Sequence, residues 1–259
     1  MIEKIISLKR EAVERRRRAL APGDPASLLS RRKSGVRDFR AAVRKEGRLS
    51  LIAEVKKASP SRGVIRGDFD PEQIARVYRE KGVDAISVLT EDKFFLGSPR
   101  YLSLVRAGVS VPVLQKDFIV DELQIYEAAG GGADAVLLIA FILSPGALER
   151  FISLCARLGM TPLVEVHTPG DISKAADAGA DVFGINNRDL KTFTVDLSVT
   201  EKLAGRLPGG STAISESGVG SAQDIERLKE CGVHGVLVGE ALMASPDIGR
   251  KLDELMGAL

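Results

Sequence analysis

The chain has 259 residues, of which 44% are apolar and 28% charged, with a formal net charge of +2. This length suits one large domain or two small ones, and the apolar fraction is enough for a sizeable core. The small net charge argues against a nucleic-acid or membrane partner, and no segment reaches the roughly 18 continuous apolar residues of a membrane span.

Residues 1–48 precede the first strand-like run and have a helical pattern. An amphipathic helix is indicated by apolar residues at Ile5, Ile6, Leu8 and Val13, and Asp38–Lys45 predicts a second helix. We expect 1–48 to be a helical extension that packs on the domain formed by 49–259. The apolar face could instead pair with a second chain, so a monomer and a weak homodimer both remain open.

The basic run Arg15–Arg18 lies within this extension. It is most simply a solvated helix face, because the aromatic residues that stack on nucleic-acid bases are absent nearby. The segment also lacks the apolar stretch of a secretory signal, so we expect a cytoplasmic protein.

Eight short apolar runs follow, and each reads as a buried strand. They are Leu51–Val55, Ala85–Leu89, Val111–Leu114, Ala135–Ile139, Pro162–Val166, Asp181–Ile185, Ala213–Ser215 and Gly235–Val238. Helical patterns lie between them, including Pro71–Lys81, Asp121–Ala129, Pro145–Leu158 and Ser221–Glu230. Little polar alternation within the runs is typical of parallel strands that are covered on both faces. Strands that alternate with helices predict a parallel sheet.

A weak internal repeat favours closure of this sheet into a barrel. Similar stretches begin at Gly82, Gly132, Gly179 and Gly232, at intervals that each hold two strand–helix units. Each glycine is expected just after a helix, where a positive φ is needed. The chain is therefore predicted to be an α/β protein, a (β/α)₈ TIM barrel with an N-terminal helical extension. A doubly wound open sheet is the alternative, but no G-x-G-x-x-G follows the first strand.

Polar residues cluster where the predicted strands end. In this kind of barrel the active site lies at the carboxyl ends of the strands. The residues there are Glu54, Lys56, Ser59, Lys116, Asp117, Glu165, His167, Asn186, Asn187, Arg188, Ser215, Glu216, Ser217, Gly239 and Glu240. So many charges at one mouth are costly unless they pair or meet a ligand, which predicts a functional site.

Glycine-containing turns follow the seventh and eighth strands, at Glu216–Ser221 and Val238–Ala241. Backbone N–H groups at helix starts bind anions, and the loops after these two strands are a recurrent phosphate site in barrels. A phosphorylated ligand is therefore indicated, with ordinary helix capping by Ser217 and Ser221 as the alternative. The long basic loop Lys57–Asp70 could act as a lid over an anionic ligand or could simply be a mobile surface loop.

Six stretches in register resemble the signature of the indole-3-glycerol-phosphate synthase family. They are Ala53–Ser61, Val88–Phe95, Lys116–Ile119, Leu163–His167, Gly184–Leu190 and Ser215–Gly218. Together they span nearly the whole chain. The resemblance implies an enzyme of tryptophan synthesis, a carboxy-lyase that closes the ring of 1-(2-carboxyphenylamino)-1-deoxyribulose 5-phosphate. The products would be indole-3-glycerol phosphate, carbon dioxide and water, and one barrel implies this activity alone.

The resemblance also implies a role for each site residue. Lys116 would be the general acid, Glu165 the base or a stabiliser of positive charge, and Lys56 the partner of the substrate carboxylate. The supporting catalytic residues would be Glu54, Asn186 and Glu216, and the substrate-binding residues would be Ser59, Phe118, Arg188, Ser217, Gly218 and Gly239. Which lysine serves the dehydration step stays open.

This chemistry requires no cofactor, and the sequence shows no metal-ligand spacing. His167 is a candidate neighbour of Glu165, whereas His234 is expected to be structural. Cys155 and Cys231 are expected to be reduced thiols, although one disulfide between them is conceivable.

Three other interpretations of the function are open. Another phosphate-binding barrel enzyme would not need Glu54, Lys56 and Lys116 together. A catalytically silent scaffold would not need charged strand ends, and an RNA-binding N-terminal helix would show salt-dependent binding.

Overall fold

A computed structural model describes residues 2–20, 25–32 and 34–259. Eight parallel strands form a closed barrel, in which each strand pairs with its neighbours along the chain and the last strand pairs with the first. The strands, labelled β1 to β8, are Ser50–Val55, Ala85–Leu89, Val113–Lys116, Ala135–Ile139, Thr161–Val166, Val182–Asn186, Thr212–Glu216 and Gly235–Val238. The predicted (β/α)₈ barrel is confirmed.

Helices connect the strands and form the outer layer. The α-helices are Ile2–Leu20 (α1), Phe39–Val43, Pro71–Lys81, Pro99–Gly108, Glu122–Gly131, Pro145–Arg157, Pro169–Asp177, Ser198–Leu203, Ala222–Lys229, Glu240–Ala244 and Ile248–Met256. Short 3₁₀ helices span Pro25–Arg31, Ala140–Ile142 and Ala204–Arg206. Across the described ranges, none of the helices is long and apolar enough to cross a bilayer.

The boundaries of β3 differ from the prediction by two residues. The run Val111–Leu114 was expected, whereas the strand is Val113–Lys116. Pro112 has no N–H to donate to the ladder, so regular pairing begins after it. Lys116 is therefore the last residue of a strand and not part of a loop, so the strand fixes the backbone position of this residue.

The four repeated glycines have the backbone that the sequence predicted. Gly82, Gly132, Gly179 and Gly232 have φ of 76°, 94°, 87° and 71°, in the left-handed region that side chains disfavour. The N–H of Gly82 donates to the carbonyl of Tyr78 and so ends the helix. Each glycine turns the chain from a helix into the bottom of an even-numbered strand.

The barrel interior is filled by side chains and closed at the bottom by the N-terminal segment. An apolar cluster inside the barrel includes Ile52, Leu114, Leu163 and Ile214, one from each odd-numbered strand. Phe39 and Val43 of the short helix belong to the same cluster and have no exposed surface, and they meet Ala85, Ala135 and Val182 at the strand starts. The barrel interior is therefore a packed core that is covered at its bottom.

The described parts of the segment before β1 lie along the outside of the barrel, from its mouth to its bottom. Ile2 and Ile5 of α1 are buried at the mouth. Further along, Val13 and Leu28 pack against Leu123 of the helix Glu122–Gly131. The second helix is Phe39–Val43, shorter than the predicted Asp38–Lys45. Asp38 is its N-cap and accepts from the N–H of Ala41, and the helix ends at Arg44, which has φ of −120° and ψ of 77°.

The basic run of α1 was expected to be a solvated face, and this is only partly correct. Arg16 pairs with Glu127 at 2.7 Å and Arg17 with Asp121 at 2.7 Å. Both carboxylates lie on the barrel, at or within the helix Glu122–Gly131. The run is therefore used in part to hold α1 on the barrel, although Arg17 stays half exposed.

Candidate active site

A cavity of about 610 Å³ opens at the carboxyl ends of the strands, a volume within the roughly 300–1,000 Å³ of typical small-molecule sites. Eleven of the twelve predicted site residues line it: Glu54, Lys56, Ser59, Lys116, Phe118, Glu165, Asn186, Arg188, Ser217, Gly218 and Gly239. Glu216 does not line the cavity and is fully buried behind Lys116. The structure thus brings the predicted residues together and places one of them beneath the surface.

Lys116 stands between two buried carboxylates. Its ammonium makes a short ion pair with Glu216 Oε2 and lies 3.8 Å from Glu165 Oε2. Burial lowers the pKa of Lys116, but Glu216, Glu165 and Glu54 outweigh it, so the net shift is upward. Burial raises the pKa of Glu216 to about 7, against the opposing effect of Lys116. Lys116 is accordingly held as a cation at the centre of the mouth.

A second pair stands across the mouth on β1. Lys56 Nζ lies 2.8 Å from Glu54 Oε1. Burial raises the pKa of Glu54, but Lys56 and Lys116 more than compensate, so its pKa is lowered overall. Glu54 is therefore ionised at neutral pH, and two cationic lysines face one cavity.

Each of the three site carboxylates keeps one oxygen without a hydrogen-bond partner among the described residues. These buried atoms are Glu54 Oε2, Glu165 Oε1 and Glu216 Oε1. Buried polar atoms are ordinarily bonded, and exceptions in folded proteins point to strain, catalysis or a missing ligand. At the strand ends, these three oxygens can therefore each accept a further hydrogen bond.

Two glycines make room for these carboxylates. A Cβ built on Gly184 would collide with Glu216 Oε1, and one built on Gly239 would collide with Glu54 Oε1. Gly239 was predicted only as a phosphate contact, and Gly184 was not singled out. A side chain at either position would displace a site carboxylate, so the close approach requires glycine.

The turn after β7 has an unusual backbone. Ser217 has φ of 66° and Gly218 has φ of 92°. A positive φ at a residue other than glycine costs about 1–3 kcal/mol and is found most often at functional sites. Ser217 is therefore not a helix cap. The predicted capping alternative holds for Ser221, which forms a capping box with Asp224.

An acidic residue bridges two arginines beside this turn. Glu240 accepts from Arg62 at 2.7 Å and from Arg188 at 3.0 Å. Arg62 belongs to the loop after β1, and Arg188 follows β6. Glu240 was predicted only as one of the polar strand ends and Arg62 only as part of the basic loop, because their pairing joins parts of the chain that are far apart in sequence.

The loop after β1 is folded onto the barrel. A short hairpin pairs Ala58–Ser59 with Gly63–Val64. Arg66 donates to the carbonyl of Met243 at 3.2 Å. Ser59 is buried at the rim of the cavity, and its hydroxyl lies 3.3 Å from that of Ser61. The predicted basic loop therefore covers part of the mouth and is held in place by arginine.

One wall of the cavity is apolar. Phe118 lies beside Phe95, with ring centroids 6.3 Å apart. Ile2 and Ile5 of α1 and Leu190 also line the cavity. Phe95 was quoted only within a motif, Ile5 was predicted only as part of an amphipathic helix face, and Ile2 was not singled out. This wall suits a flat apolar ring, so the cavity combines an aromatic surface with paired charges.

The remaining polar residues support this arrangement. Asn187 is buried and donates to Ser215 Oγ at 2.9 Å and to the carbonyl of Ser217 at 3.0 Å. Asn186 accepts from the N–H of Arg188. His167 Nε2 lies 3.4 Å from Glu165 Oε1, as its position in the sequence suggested.

Residues outside the mouth take structural positions. His234 Nδ1 accepts from the N–H of Ala213 at the bottom of the barrel, as expected of a structural residue. Both cysteines are free thiols. Within the described parts of the chain, no group of three or more histidine, cysteine or acidic side chains could hold a metal ion.

Solved structures with low sequence identity share the fold. Thiamine phosphate pyrophosphorylase from Pyrococcus furiosus has a TM-score of 0.63 at 15% identity, covering 85% of this chain and 97% of that one. 3-Hexulose-6-phosphate synthase from Salmonella typhimurium has a TM-score of 0.63 at 17% identity, covering 82% and 98%. At such identities the likeness supports the barrel alone.

Sequence relatives are far more similar. The indole-3-glycerol phosphate synthase of Carboxydothermus hydrogenoformans is 45% identical, covering 98% of this chain and 99% of that protein. That of Dehalococcoides mccartyi is 52% identical, covering 83% and 85%. The family model for indole-3-glycerol phosphate synthase matches residues 2–255. The chain therefore belongs to the indole-3-glycerol phosphate synthase family.

Proposed function

We propose that the chain closes the indole ring of 1-(2-carboxyphenylamino)-1-deoxyribulose 5-phosphate and releases carbon dioxide and water. The product is indole-3-glycerol phosphate, so the enzyme is a carboxy-lyase of tryptophan biosynthesis. Membership of the family supports this activity. The observation that carries it is the cation of Lys116, held between two buried carboxylates opposite the Lys56–Glu54 pair.

Ring closure needs an acid at the substrate ketone. The aromatic carbon that bears the carboxylate attacks the ketone carbon, and the C=O electron pair moves onto oxygen. Lys116 stabilises this developing negative charge and then transfers a proton to form a hydroxyl. The surrounding carboxylates raise its pKa, but an alkoxide is a stronger base than an amine, so the transfer is still favourable.

Decarboxylation restores the aromatic ring. The carbon–carboxylate bond breaks, its electron pair returns to the ring, and carbon dioxide leaves. Lys56 holds the carboxylate beforehand by charge, and Glu54 fixes that lysine at 2.8 Å. Arg188 at the rim adds a second cation.

Dehydration completes the indole. The hydroxyl leaves as water with a proton from an acid, and a proton is removed from the neighbouring carbon. Glu165 acts as the base, or stabilises positive charge on the amine, because its Oε1 lies 3.4 Å from His167 Nε2 but accepts no hydrogen bond from the described residues. Glu216 holds Lys116 in place, and Asn186 orients the substrate hydroxyls. Either lysine can supply the proton.

The phosphate is assigned to the end of the cavity near β7 and β8. Ser217, Gly218 and Gly239 offer backbone close to the ligand without bulky side chains, and Ser59 adds a hydroxyl from the loop. Phe118 packs against the carboxyphenyl ring at the opposite, apolar wall. The chemistry needs no cofactor, since every step moves protons and carbon electrons only.

The first test is to mix the protein with the substrate and follow indole fluorescence and carbon dioxide. The chain has no tryptophan, so its background fluorescence is low. We expect both products to rise in equal amounts. An analogue with the ketone reduced to an alcohol should bind and give no product. No fluorescence rise from folded protein that binds this analogue would contradict the proposal.

We further propose that 1–48 is an extension of one catalytic barrel, 49–259, in a cytoplasmic protein that is a monomer or weak homodimer. The apolar face of α1 supports a monomer, because Ile2, Ile5 and Val13 are buried within a single chain. Sedimentation over a range of concentrations would test this, and a stable dimer at low concentration would contradict it.

A further inference from the structure

A buried ion pair joins the N-terminal helix to the strand end that carries the central lysine. Lys9 of α1 is only 7% exposed, although lysine is almost never buried without a partner. Its Nζ lies 2.7 Å from Asp117 Oδ1, and the Asp117 side chain is itself 6% exposed. Asp117 directly follows Lys116 in the chain, so α1 contacts the backbone neighbour of that lysine.

Asp117 fixes the backbone on both sides of itself. Its Oδ1 accepts from the N–H of Phe118 at 2.7 Å, and its Oδ2 accepts from Thr90 Oγ1 at 2.6 Å. The N–H of Thr90 in turn donates to the carbonyl of Lys116 at 3.1 Å. The orientation of this carboxylate therefore sets the peptides of both Lys116 and Phe118.

Among the described contacts of Asp117, the contact with Lys9 is the one with a charged partner. Without it, a carboxylate would remain buried beside two neutral donors, which is costly and favours a rearrangement of the Asp117 side chain. One turn before Lys9, Ile5 lines the apolar wall of the cavity. The same helix thus contributes to the site surface and to the backbone of Lys116.

We propose that Lys9 is a positioning residue of the active site, which acts through Asp117 to hold Lys116 and Phe118 in their working geometry. This inference rests on the proposed function and assigns a catalytic purpose to the N-terminal helix. The helix completes the site through this one contact, whereas its other ion pairs only hold it on the barrel.

Another ion pair of the same helix provides a matched control. Arg17 pairs with Asp121 at 2.7 Å, but Arg17 is 52% exposed and Asp121 is 25% exposed. This pair also holds α1 on the barrel, and neither residue lines the cavity. Arg17→Met therefore weakens docking of the helix while it leaves the Asp117 contacts intact.

The test compares Lys9→Met, which keeps the length of the side chain, with Arg17→Met. We expect Lys9→Met to lower kcat by about ten- to a hundredfold, because a small displacement of a catalytic group has effects of this size. KM should change much less. Arg17→Met should keep kcat within twofold, and Lys9→Arg should restore most of it. Equal kcat losses in both methionine variants, or no loss in Lys9→Met, would overturn the inference.

A double variant and a spectrum separate this inference from the proposed function. Asp117→Asn should lower kcat by itself, and adding Lys9→Met should lower it little further, because both act through one contact. With ¹⁵N-phenylalanine labelling, the nine amide signals should include one, Phe118, that shifts strongly in Lys9→Met and stays in place in Arg17→Met. This readout needs no turnover. If the wild-type enzyme is inactive but Lys9→Met still shifts the Phe118 signal, the proposed function is overturned and the positioning role is supported. If the Phe118 signal does not move in Lys9→Met, the positioning role is overturned.

Discussion

Buried carboxylates occupy both ends of the barrel, but their surroundings differ. At the bottom, Asp84 accepts from Arg48 at 2.9 and 2.6 Å and from the N–H of Leu51 at 2.9 Å. Asp134 accepts from the N–H groups of Arg37 and Val113 at 2.8 and 2.9 Å. At the mouth, the three glutamates of the site each keep one oxygen without a described partner.

This difference in hydrogen bonding separates buried carboxylates that serve stability from buried carboxylates that serve function. A carboxylate whose oxygens are all bonded contributes to folding, and its removal leaves donors unpaired. A carboxylate with a free oxygen beside a lysine retains capacity for a proton or a ligand. The bottom therefore holds the barrel together, whereas the mouth keeps charges available for chemistry.

The largest expected effect is at the mouth. Lys116→Ala should lower kcat by roughly 10²–10⁴, as is typical for lost acid–base catalysis. The matched control is Lys81→Ala, since Lys81 pairs with Asp253 on the opposite side of the fold and should keep kcat near the wild-type value. Steady-state kinetics of the two variants check this, and a Lys116→Ala variant with near-normal kcat would remove the acid role.

The pH profile of kcat/KM should also distinguish a carboxylate at the mouth from one at the bottom of the barrel. Burial raises the pKa of Glu216 to about 7, so the ion pair with Lys116 is complete above that pH and is lost as Glu216 takes up a proton below it. We expect log kcat/KM to fall with a slope of about one below pH 7, since this quantity reports groups of the free enzyme.

Glu216→Gln should abolish this acid limb and lower the plateau. Asp84→Asn, which changes a carboxylate at the bottom, should leave the shape of the profile unchanged. If the limb persists at the same pH in Glu216→Gln, another group controls it.

Substitution of a carboxylate at the bottom of the barrel should have a smaller effect than substitution of Lys116, and should change stability alone. Asp84→Ala removes the acceptor of the Leu51 N–H and of Arg48, which should lower the free energy of unfolding by about 1–3 kcal/mol. Urea unfolding measures this loss. Below the unfolding transition kcat should remain near the wild-type value, and a large kcat loss would show that the two ends are not independent.

The smallest effect concerns the repeated glycines. Gly82→Ala should lower the free energy of unfolding by about 1–2 kcal/mol, because a side chain is strained at φ of 76°. Gly108→Ala is the matched control: that glycine ends a helix without a positive φ and has open space around it, so alanine should be neutral or slightly stabilising. Equal effects of the two substitutions in thermal unfolding would contradict this account.

Local patterns in the sequence were enough to predict the barrel and most of its mouth. Parallel strands covered on both faces read as apolar runs, and the polar residues after them all face one end because parallel strands end at the same side. Lys116, Glu165 and Lys56 could therefore be assigned to one cavity without coordinates. The glycines Gly82 and Gly232 were predictable because a positive φ disfavours residues that carry a side chain.

The sequence by itself thus determined the architecture, the end at which the site lies and the family. Only the tertiary structure decided that Glu216 lies behind Lys116, that Gly184 makes room for it, and that Lys9 reaches Asp117. Two of these pairings join residues about a hundred positions apart, and Gly184 lies about thirty positions from Glu216. Each depends on burial from several elements at once. Periodicity reports which face a residue takes, whereas the partner of a buried charge is set by the packing that removes its water.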